Sequence, residues 1–268
     1  MIRKPISRPS STVLGILSIL CLLAAYHLLS ELQHRKNPED TTIPNWGQLY
    51  AGVRQTMEAN PRSGERWLLV DVKATGSRLF LGLFLGMTGA ILAGLLMGCF
   101  GAFEAFLLPP LSLLAKVPPT AALAVFFVLV GTNLKMFVAM VAFGILPTLA
   151  QTVYLSVREV RIEFLYKAST LGASQVELIW EVIVKTVLPQ LIDAVRLQIG
   201  PAMVYLIAAE MVVGDVGFGY RIRLQSRLLN MSVVYPYLTV LAAFGFGMDF
   251  ILASLQRFMC PWYERHSR

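Results

Sequence analysis

Long apolar runs alternate with short polar intervals along this chain, and the alternation predicts a helical membrane protein. Each run is long enough to cross a hydrocarbon core of ~30 Å at a rise of ~1.5 Å per residue. The runs occupy residues 12–30, 79–99, 107–130, 134–157, 196–213 and 234–255. We therefore expect an all-α membrane protein with six transmembrane helices, in which residues 1–268 form a single domain.

The interval at residues 31–76 contains one amphipathic stretch. Apolar residues recur at three- and four-residue steps through Trp46, Leu49, Val53 and Met57, with polar residues between them. This spacing predicts an interfacial helix that Trp46 anchors at the membrane surface. A helix whose apolar face packs on a partner protein would produce the same pattern, so this alternative stays open.

A second polar interval, residues 158–190, separates the fourth and fifth predicted spans, and we call it the polar segment. Charged and apolar residues recur in it at helical spacing, and a turn-like break at residues 171–174 divides it into two short helices. Because long apolar runs flank it on both sides, this helix–turn–helix predicts a docking platform for a soluble partner.

Composition supports membrane insertion. Hydrophobic residues make up 56% of the chain and charged residues 15%, with a mean hydropathy of +0.64, whereas soluble domains carry about 25% charged residues. The net charge of +7 fits basic loops beside anionic lipid, and no basic stretch has the features of a nucleic-acid site. No metal-ligand, phosphate-cradling or nucleophile motif occurs, so we predict no catalytic residue, no metal site and no cofactor bound by this chain.

Several short motifs follow one another in an order that is typical of one family. The polar segment contains Tyr166-Lys167-Ala168, Gly172, Val182 and Leu188-Pro189. The other motifs are Thr75-x2-Arg78-x3-Gly82, a Lys-Val-Pro-Pro-Thr-Ala stretch from Lys116, Ala209-Glu210-Met211 and Gly217-Phe218-Gly219-Tyr220. Over residues 44–257 they resemble the permease subunits of bacterial ABC importers in the nitrate/sulfonate/taurine group.

The resemblance implies a type I ABC importer permease fold with a cytoplasmic coupling helix between helices 4 and 5. Two ABC ATPase subunits would dock on residues 158–190 and hydrolyse ATP with Mg²⁺, a second permease copy would form a homodimer, and a periplasmic or lipid-anchored binding protein would deliver the solute. The residues nominated for ATPase coupling are Glu163, Tyr166, Lys167, Ala168, Leu171, Gly172, Ala173 and Ser174.

Orientation also rests on the resemblance, because lysine and arginine are equally numerous on the two predicted sides and the positive-inside rule does not decide. The resemblance implies a multi-pass protein of the bacterial inner membrane with cytoplasmic N- and C-termini, a cytoplasmic segment at 158–190 and a periplasmic segment at 31–76.

The polar segment departs from the family pattern E-A-A-x3-G-x9-I-x-L-P at its first two positions. Tyr166 replaces a glutamate that commonly pairs with basic groups of the ATPase, and Lys167 adds the opposite charge. Either Glu163, one helical turn earlier, supplies the acid, or the ATPase surface has changed to match.

Helix breakers and acids inside the spans are the candidates for the translocation path or its gate. Pro118, Pro119, Pro147 and Pro201 can open a cavity between helices or merely shape packing. Glu210 and Asp249 must face protein or water, because an ionised acid in lipid costs at least ~2.5–3.5 kcal/mol.

Each acid has two interpretations: a counter-charge for the solute, or a structural pair. For Glu210, which Arg221 or Arg223 could neutralise, we favour the structural pair, because the Ala-Glu-Met element also occurs in family members with anionic substrates. For Asp249 both interpretations stay open.

The family moves nitrate, sulfonates, taurine, bicarbonate and urea- or guanidine-like solutes, and the two acids weakly favour a neutral or cationic one. A secondary transporter or channel without an ATPase is the alternative function. It would be supported by inverted repeats, and the halves of this sequence show no clear similarity.

Overall fold

A computed structural model describes residues 7–59 and 64–263. Within them the regular elements are helical, apart from one isolated bridge between Ala59 and Arg66. The helices are α1 (Arg8–Lys36), α2 (Trp46–Met57), α3 (Trp67–Cys99), α4 (Gly101–Leu114), α5 (Leu123–Val130), α6 (Leu134–Arg158), α7 (Ile162–Thr170), α8 (Gln175–Glu177), a π-helical segment (Leu178–Val184), α9 (Lys185–Val213), α10 (Phe218–Arg227) and α11 (Met231–Met259).

Four of these helices, α1, α3, α6 and α11, are long and apolar enough to cross a membrane. The helical stretch Gln175–Val213 is a fifth candidate when it is taken together with α10, whose axis is inclined to it by 55°. Within the described residues the predicted number of six is therefore not reached, and six spans stay a prediction.

The third predicted span, residues 107–130, is not one helix. Residues 115–122 separate α4 from α5 and form turns around Pro118 and Pro119. A proline disfavours helical backbone at the residue before it and donates no backbone hydrogen bond, so Pro118 and Pro119 favour turns at this position. The preceding proline pair is tolerated inside α4.

Two other predicted boundaries also differ from the structure. α3 begins at Trp67, well before residue 79, and the predicted span 196–213 is the C-terminal part of the stretch that starts at Gln175. The polar residues in these extensions lower the local hydropathy but do not interrupt the helical backbone. The polar segment is therefore helical and continuous with α9 from residue 175 onward.

The chain divides into two compact units. Of the described residues, the first unit comprises 7–59, 64–68 and 222–239, and the second comprises 69–221 and 240–263.

In the first unit, close contacts hold α2. The Tyr26 hydroxyl donates to the carbonyl oxygen of Pro44 at 2.6 Å, and its ring lies edge-on to Trp46 with centroids 5.6 Å apart. Gly52 packs on the backbone of Ser232, where a Cβ would approach the carbonyl oxygen to 1.9 Å, so only glycine fits. Trp46 itself is half exposed, and its interfacial role stays a prediction.

In the second unit, α3 and α9 both pack on α6. Gly82, Gly86, Gly94 and Gly98 of α3 lie so close to α6 that a Cβ on any of them would come within 2.5–2.7 Å of an α6 side chain. Small residues allow this close approach between helices. The buried residues that α9 contributes to the cores shared with α6 are Val187, Ala194, Val195, Ala202, Leu206 and Ala209.

Candidate functional site: the polar segment and a buried ion-pair network

The first helix of the polar segment, α7, ends in a left-handed residue. Gly172 has a φ of +87°, and the amides of Gly172 and Ala173 donate to the carbonyl oxygens of Ser169 and Ala168. These two bonds form a Schellman cap, which satisfies carbonyls that a helix C-terminus leaves free. No described atom lies within 4 Å of the Cβ position of Gly172, so its backbone conformation, and not lack of space, favours glycine.

The next helix begins two residues after that cap. The Ser174 hydroxyl accepts a hydrogen bond from the Glu177 amide at 3.3 Å, and the Glu177 carboxylate accepts one from the Ser174 amide at 2.7 Å. This reciprocal capping box fixes the start of the second helix. The sequence Leu-Gly-Ala-Ser thus forms a short, defined reversal at the predicted break.

The residues nominated for ATPase coupling lie at or near the surface. No residue of α7 is buried. Among the nominated residues, the two large apolar side chains are exposed, Leu171 to 88% and Tyr166 to 64%. Of the other nominated residues, Glu163, Lys167, Gly172 and Ser174 are exposed, and Ala168 and Ala173 are partly buried.

Two concavities border the polar segment. A groove of about 340 Å³ lies beside the turn, lined by Ala168, Leu171, Gly172, Ala173, Glu177, Glu181 and Val182. A cavity of about 580 Å³ lies where the C-terminal ends of α3 and α6 meet the segment, and its lining is mainly apolar. The structure therefore brings four of the nominated residues together along one groove.

Two ion pairs that lie within the polar segment are exposed. Glu163 lies 3.4 Å from Arg161, with both side chains more than half exposed, and Lys185 pairs with Glu181 one turn away. Water competes for such pairs, which contribute about 0–1 kcal/mol. If Glu163 replaces the acid that Tyr166 lacks, the ATPase must compete with Arg161 for it.

A second set of charged residues is buried between α3, the end of α9 and the start of α10. The Glu210 carboxylate, fully buried, accepts hydrogen bonds from the Arg78 guanidinium at 2.8 Å and from the Thr75 hydroxyl at 3.0 Å. Asp71, also fully buried, accepts one from Arg221 at 2.9 Å. We call these five residues the ion-pair network.

The network also binds the backbone at the start of α10. Asp71, Thr75 and Glu210 accept hydrogen bonds from three consecutive amides, at residues 217–219, at distances of 2.9–3.0 Å. Arg78 donates to the carbonyl oxygen of Val216 at 2.7 Å. Amides in the first turn of a helix have no partner within the helix, and carboxylates near them are stabilised by the helix dipole.

Two glycines in this turn allow the backbone to approach Glu210. Gly217 has a φ of +116°, and a Cβ there would lie 2.5 Å from the Glu210 carboxylate. At Gly219 a Cβ would meet the carbonyl oxygen of Ile207 at 2.4 Å. The Gly-Phe-Gly-Tyr motif is therefore explained by close packing around one buried acid.

The second membrane acid, Asp249, is also paired. Its carboxylate receives two hydrogen bonds from Arg196 of α9, both at 2.8 Å, and Arg196 bonds Asp193 at 3.0 Å as well. Arg196 is 17% exposed at the side chain and Asp249 is 44% exposed.

Two of the candidate path prolines meet at a small cavity. A space of about 40 Å³ is lined by residues that include Pro119 and the buried Pro147. Pro118 is exposed in the turn between α4 and α5, and Pro201 lies within α9. The structure thus brings two of the six path candidates together, while Glu210 and Asp249 each bond an arginine in the second unit.

The sequence analysis missed Asp71 and recorded Arg78 only as part of a motif. It named Arg221 or Arg223 as the structural partner of Glu210, whereas Arg78 pairs with Glu210 and Arg221 pairs with Asp71. One signal was available: residues 71, 75 and 78 are polar at helical spacing, at the start of a strongly apolar helix. Within the described residues, no three His, Cys, Asp or Glu side chains cluster in a way that could hold a metal ion.

Comparison with curated proteins gives relatives of low identity and high coverage. The chain is 26% identical over 265 residues to the taurine transport system permease protein TauC of Escherichia coli K12. The matched region covers 97% of this chain and 93% of the relative. It is 25% identical over 185 residues to the putative aliphatic sulfonates transport permease protein SsuC of Bacillus subtilis 168, covering 69% and 67% of the two chains.

Among solved structures, a chain of the MetNI methionine ABC transporter in an inward-facing crystal form has the same fold. The TM-score is 0.63 at 18% identity, and the match covers 72% of this chain and 96% of the other. Residues 80–262 match the family described as binding-protein-dependent transport system inner membrane component, which is more than half of the sequence. The chain belongs to this family of membrane transport components, as the order of its motifs predicts.

Proposed function

We propose that this chain is the permease subunit of an ATP-driven ABC importer that moves a small polar solute across the bacterial inner membrane. The solute class is that of nitrate, sulfonates, taurine, bicarbonate and urea- or guanidine-like compounds. Support comes from the family match and from two relatives whose names specify taurine and aliphatic sulfonates.

The observation that carries this proposal is the exposed helix–turn–helix of the polar segment. α7 has no buried residue, and its Tyr166 is 64% exposed. Leu171, directly after α7, is 88% exposed and lines the groove of about 340 Å³. Exposed apolar side chains with a polar surround are typical of protein–protein contacts. We infer that each of two ATPase subunits docks on one copy of residues 158–190.

The chain is a transport subunit and not an enzyme, as in its family, and ATP hydrolysis belongs to the separate ATPase subunits. In the proposed assembly the permease is a homodimer around a central path, and a periplasmic or lipid-anchored protein delivers the solute. Both termini and the polar segment lie in the cytoplasm, and residues 31–76 lie in the periplasm. Movement of the docked ATPases switches access between the two sides.

The paired acids change the proposed solute preference. Because Arg78 neutralises Glu210 and Arg196 neutralises Asp249, neither acid is an isolated counter-charge for a cation. The faint preference for a neutral or cationic solute therefore loses its support, and anionic solutes fit equally well. Pro118, Pro119, Pro147 and Pro201 stay the candidates for shaping the path.

Docking is tested by co-expressing the chain with its ABC ATPase and measuring ATPase recovery on the purified permease. We expect Leu171→Asp to reduce the recovered ATPase about tenfold, because it places a charge on the most exposed apolar side chain of the segment. Leu228→Asp is the matched control: Leu228 is also an exposed leucine just after a short helix, outside the polar segment.

Equal loss in the two variants, or no loss in either, would contradict docking on the polar segment. Solute uptake into vesicles that contain the permease and no ATPase would contradict the importer itself and favour a secondary transporter or channel.

A further inference from the structure

The ion-pair network lies at one end of a helix whose other end is the turn of the polar segment. The stretch Gln175–Val213 is helical throughout and about 58 Å long at ~1.5 Å per residue. It starts directly after the capping box of Ser174, and its last turn carries Glu210. One helix therefore joins the proposed docking site to the network.

This helix packs along α6 over most of its length. Its buried residues belong to two core clusters, one around Val187 and Val195 and one around Ala202 and Leu206, and both clusters also contain α6 residues. α3 packs closely on α6 as well, through its four glycines. Tight packing in both contacts favours movement of α3, α6 and α9 as one body.

The turn after α9, residues 214–217, differs from this body because none of its residues is helical. It contains no regular structure, and Asp215 is 90% exposed at the side chain. Side chains of α3 bind its backbone and that of the next residue: Asp71 accepts from the Gly217 amide, Thr75 accepts from the Phe218 amide, and Arg78 donates to the Val216 carbonyl.

We propose that Asp71, Thr75 and Arg78 are positioning residues, which fasten the α9–α10 turn to the moving body so that displacement at the polar segment reaches residues 214–221. This inference rests on the proposed function, because it assumes that a docked ATPase moves the polar segment. It assigns one role to three motifs, the first of which places Thr75 and Arg78 more than 130 residues before Glu210 in the sequence. A contiguous set of contacts between two sites can carry such coupling, and the helix and the network supply one.

The inference is tested with spin labels in the permease–ATPase complex reconstituted in nanodiscs, with the native cysteines replaced. One variant carries the label at Asp215→Cys in the turn, and a second carries it at Val212→Cys on α9 itself. Copy-to-copy distances are measured before and after trapping with MgATP and vanadate. With otherwise native sequence, we expect both labels to shift by the same amount.

Thr75→Val removes the bonds to the Phe218 amide and to Glu210 while it preserves side-chain volume. We expect the label at 212 to keep its shift and the label at 215 to lose more than half of its shift, with ATP hydrolysis unchanged within twofold. Thr88→Val is the matched control in α3, because the Thr88 hydroxyl donates to the carbonyl of Phe84 in its own helix. Arg78→Lys, which keeps the charge but not the planar guanidinium, is the second test variant.

A full shift at 215 in both Thr75→Val and Arg78→Lys would overturn the inference, and so would an equal loss in Thr88→Val. A complex that binds no ATPase, or in which the label at 212 stays in place on trapping, would instead overturn the proposed function. A stable variant that loses the shift only at 215 supports the positioning role, because a merely structural defect would affect both labels.

Discussion

The polar segment and the ion-pair network contain the same kinds of charged side chain, but their burial gives them different roles. Lys185 and Glu181 of the polar segment are more than half exposed, so water competes for both charges. Arg78 and Glu210 are 9% and 0% exposed at the side chain, and both Glu210 oxygens accept hydrogen bonds. Exposed charges can therefore change with the partner, whereas the buried ones fix how three helices meet.

The largest expected effect comes from breaking one buried pair. Arg78→Met leaves the Glu210 carboxylate buried without its arginine, and we expect it to lower the free energy of unfolding by about 3–5 kcal/mol. Thermal unfolding of the purified permease in detergent measures the change. The same substitution also removes the stacking of Arg78 on Phe137, whose ring centroid lies 4.1 Å from the guanidinium carbon.

The control for this prediction is Glu181→Gln in the polar segment, which breaks an exposed pair and is expected to change stability by less than about 0.5 kcal/mol. The double variant Arg78→Met with Glu210→Gln removes both charges, and we expect it to be more stable than Arg78→Met alone. Equal unfolding temperatures for Arg78→Met and Glu181→Gln would remove the distinction between the two regions.

The two regions also differ in how far their structure follows from the sequence. The reversal at residues 171–174 depends on neighbouring residues alone: a glycine with positive φ, followed by a serine cap and a glutamate three residues later. Its position could be predicted because every contact that forms it joins residues only a few positions apart in the sequence. Only the extent of the second helix was missed, since nothing local shows that it continues into α9.

The ion-pair network could not be predicted in this way. Arg78 and Glu210 are 132 residues apart, and a single sequence does not show which arginine meets which acid. Proximity in sequence favours Arg221 or Arg223 as the partner of Glu210, but Arg221 bonds Asp71, because the turn at Gly217 directs α10 onto the first turns of α3. The order of motifs identified the family without revealing that three of these motifs are in contact.

The third span illustrates another limit of sequence periodicity. Residues 107–130 are apolar throughout, and hydropathy alone treats them as one helix. The backbone chemistry of Pro118 and Pro119 divides them into α4 and α5 instead. Apolar length alone therefore does not predict helical continuity.

An intermediate effect on ATPase binding is expected at Gly172, whose positive φ favours glycine. Gly172→Ala forces a side chain into the left-handed region, which costs about 1–2 kcal/mol. We expect the turn to rearrange and ATPase recovery to fall several-fold, with little change in the unfolding temperature, because α7 contributes no buried residue. Gly200→Ala is the control, since no described atom lies within 4 Å of its Cβ position and its φ is not positive. Loss of ATPase binding in Gly200→Ala as well would show that glycine replacement in general, and not the turn, is responsible.

The smallest effect is expected at the position where this chain departs most from its family. Tyr166→Glu restores the acid that the family pattern contains, on a side chain that is 64% exposed. If the ATPase of this chain has no basic group at that position, the new carboxylate gains no partner, and the apolar contact of the tyrosine ring is lost. We then expect docking to weaken by no more than about threefold, which is within the range for exposed charges. Tyr166→Phe keeps the ring and serves as the control, with ATPase recovery equal to that of the native chain. Stronger recovery with Tyr166→Glu would mean that the ATPase has kept a basic site facing position 166. The exposed surface would then still match the family pattern, as the motifs of the buried network do.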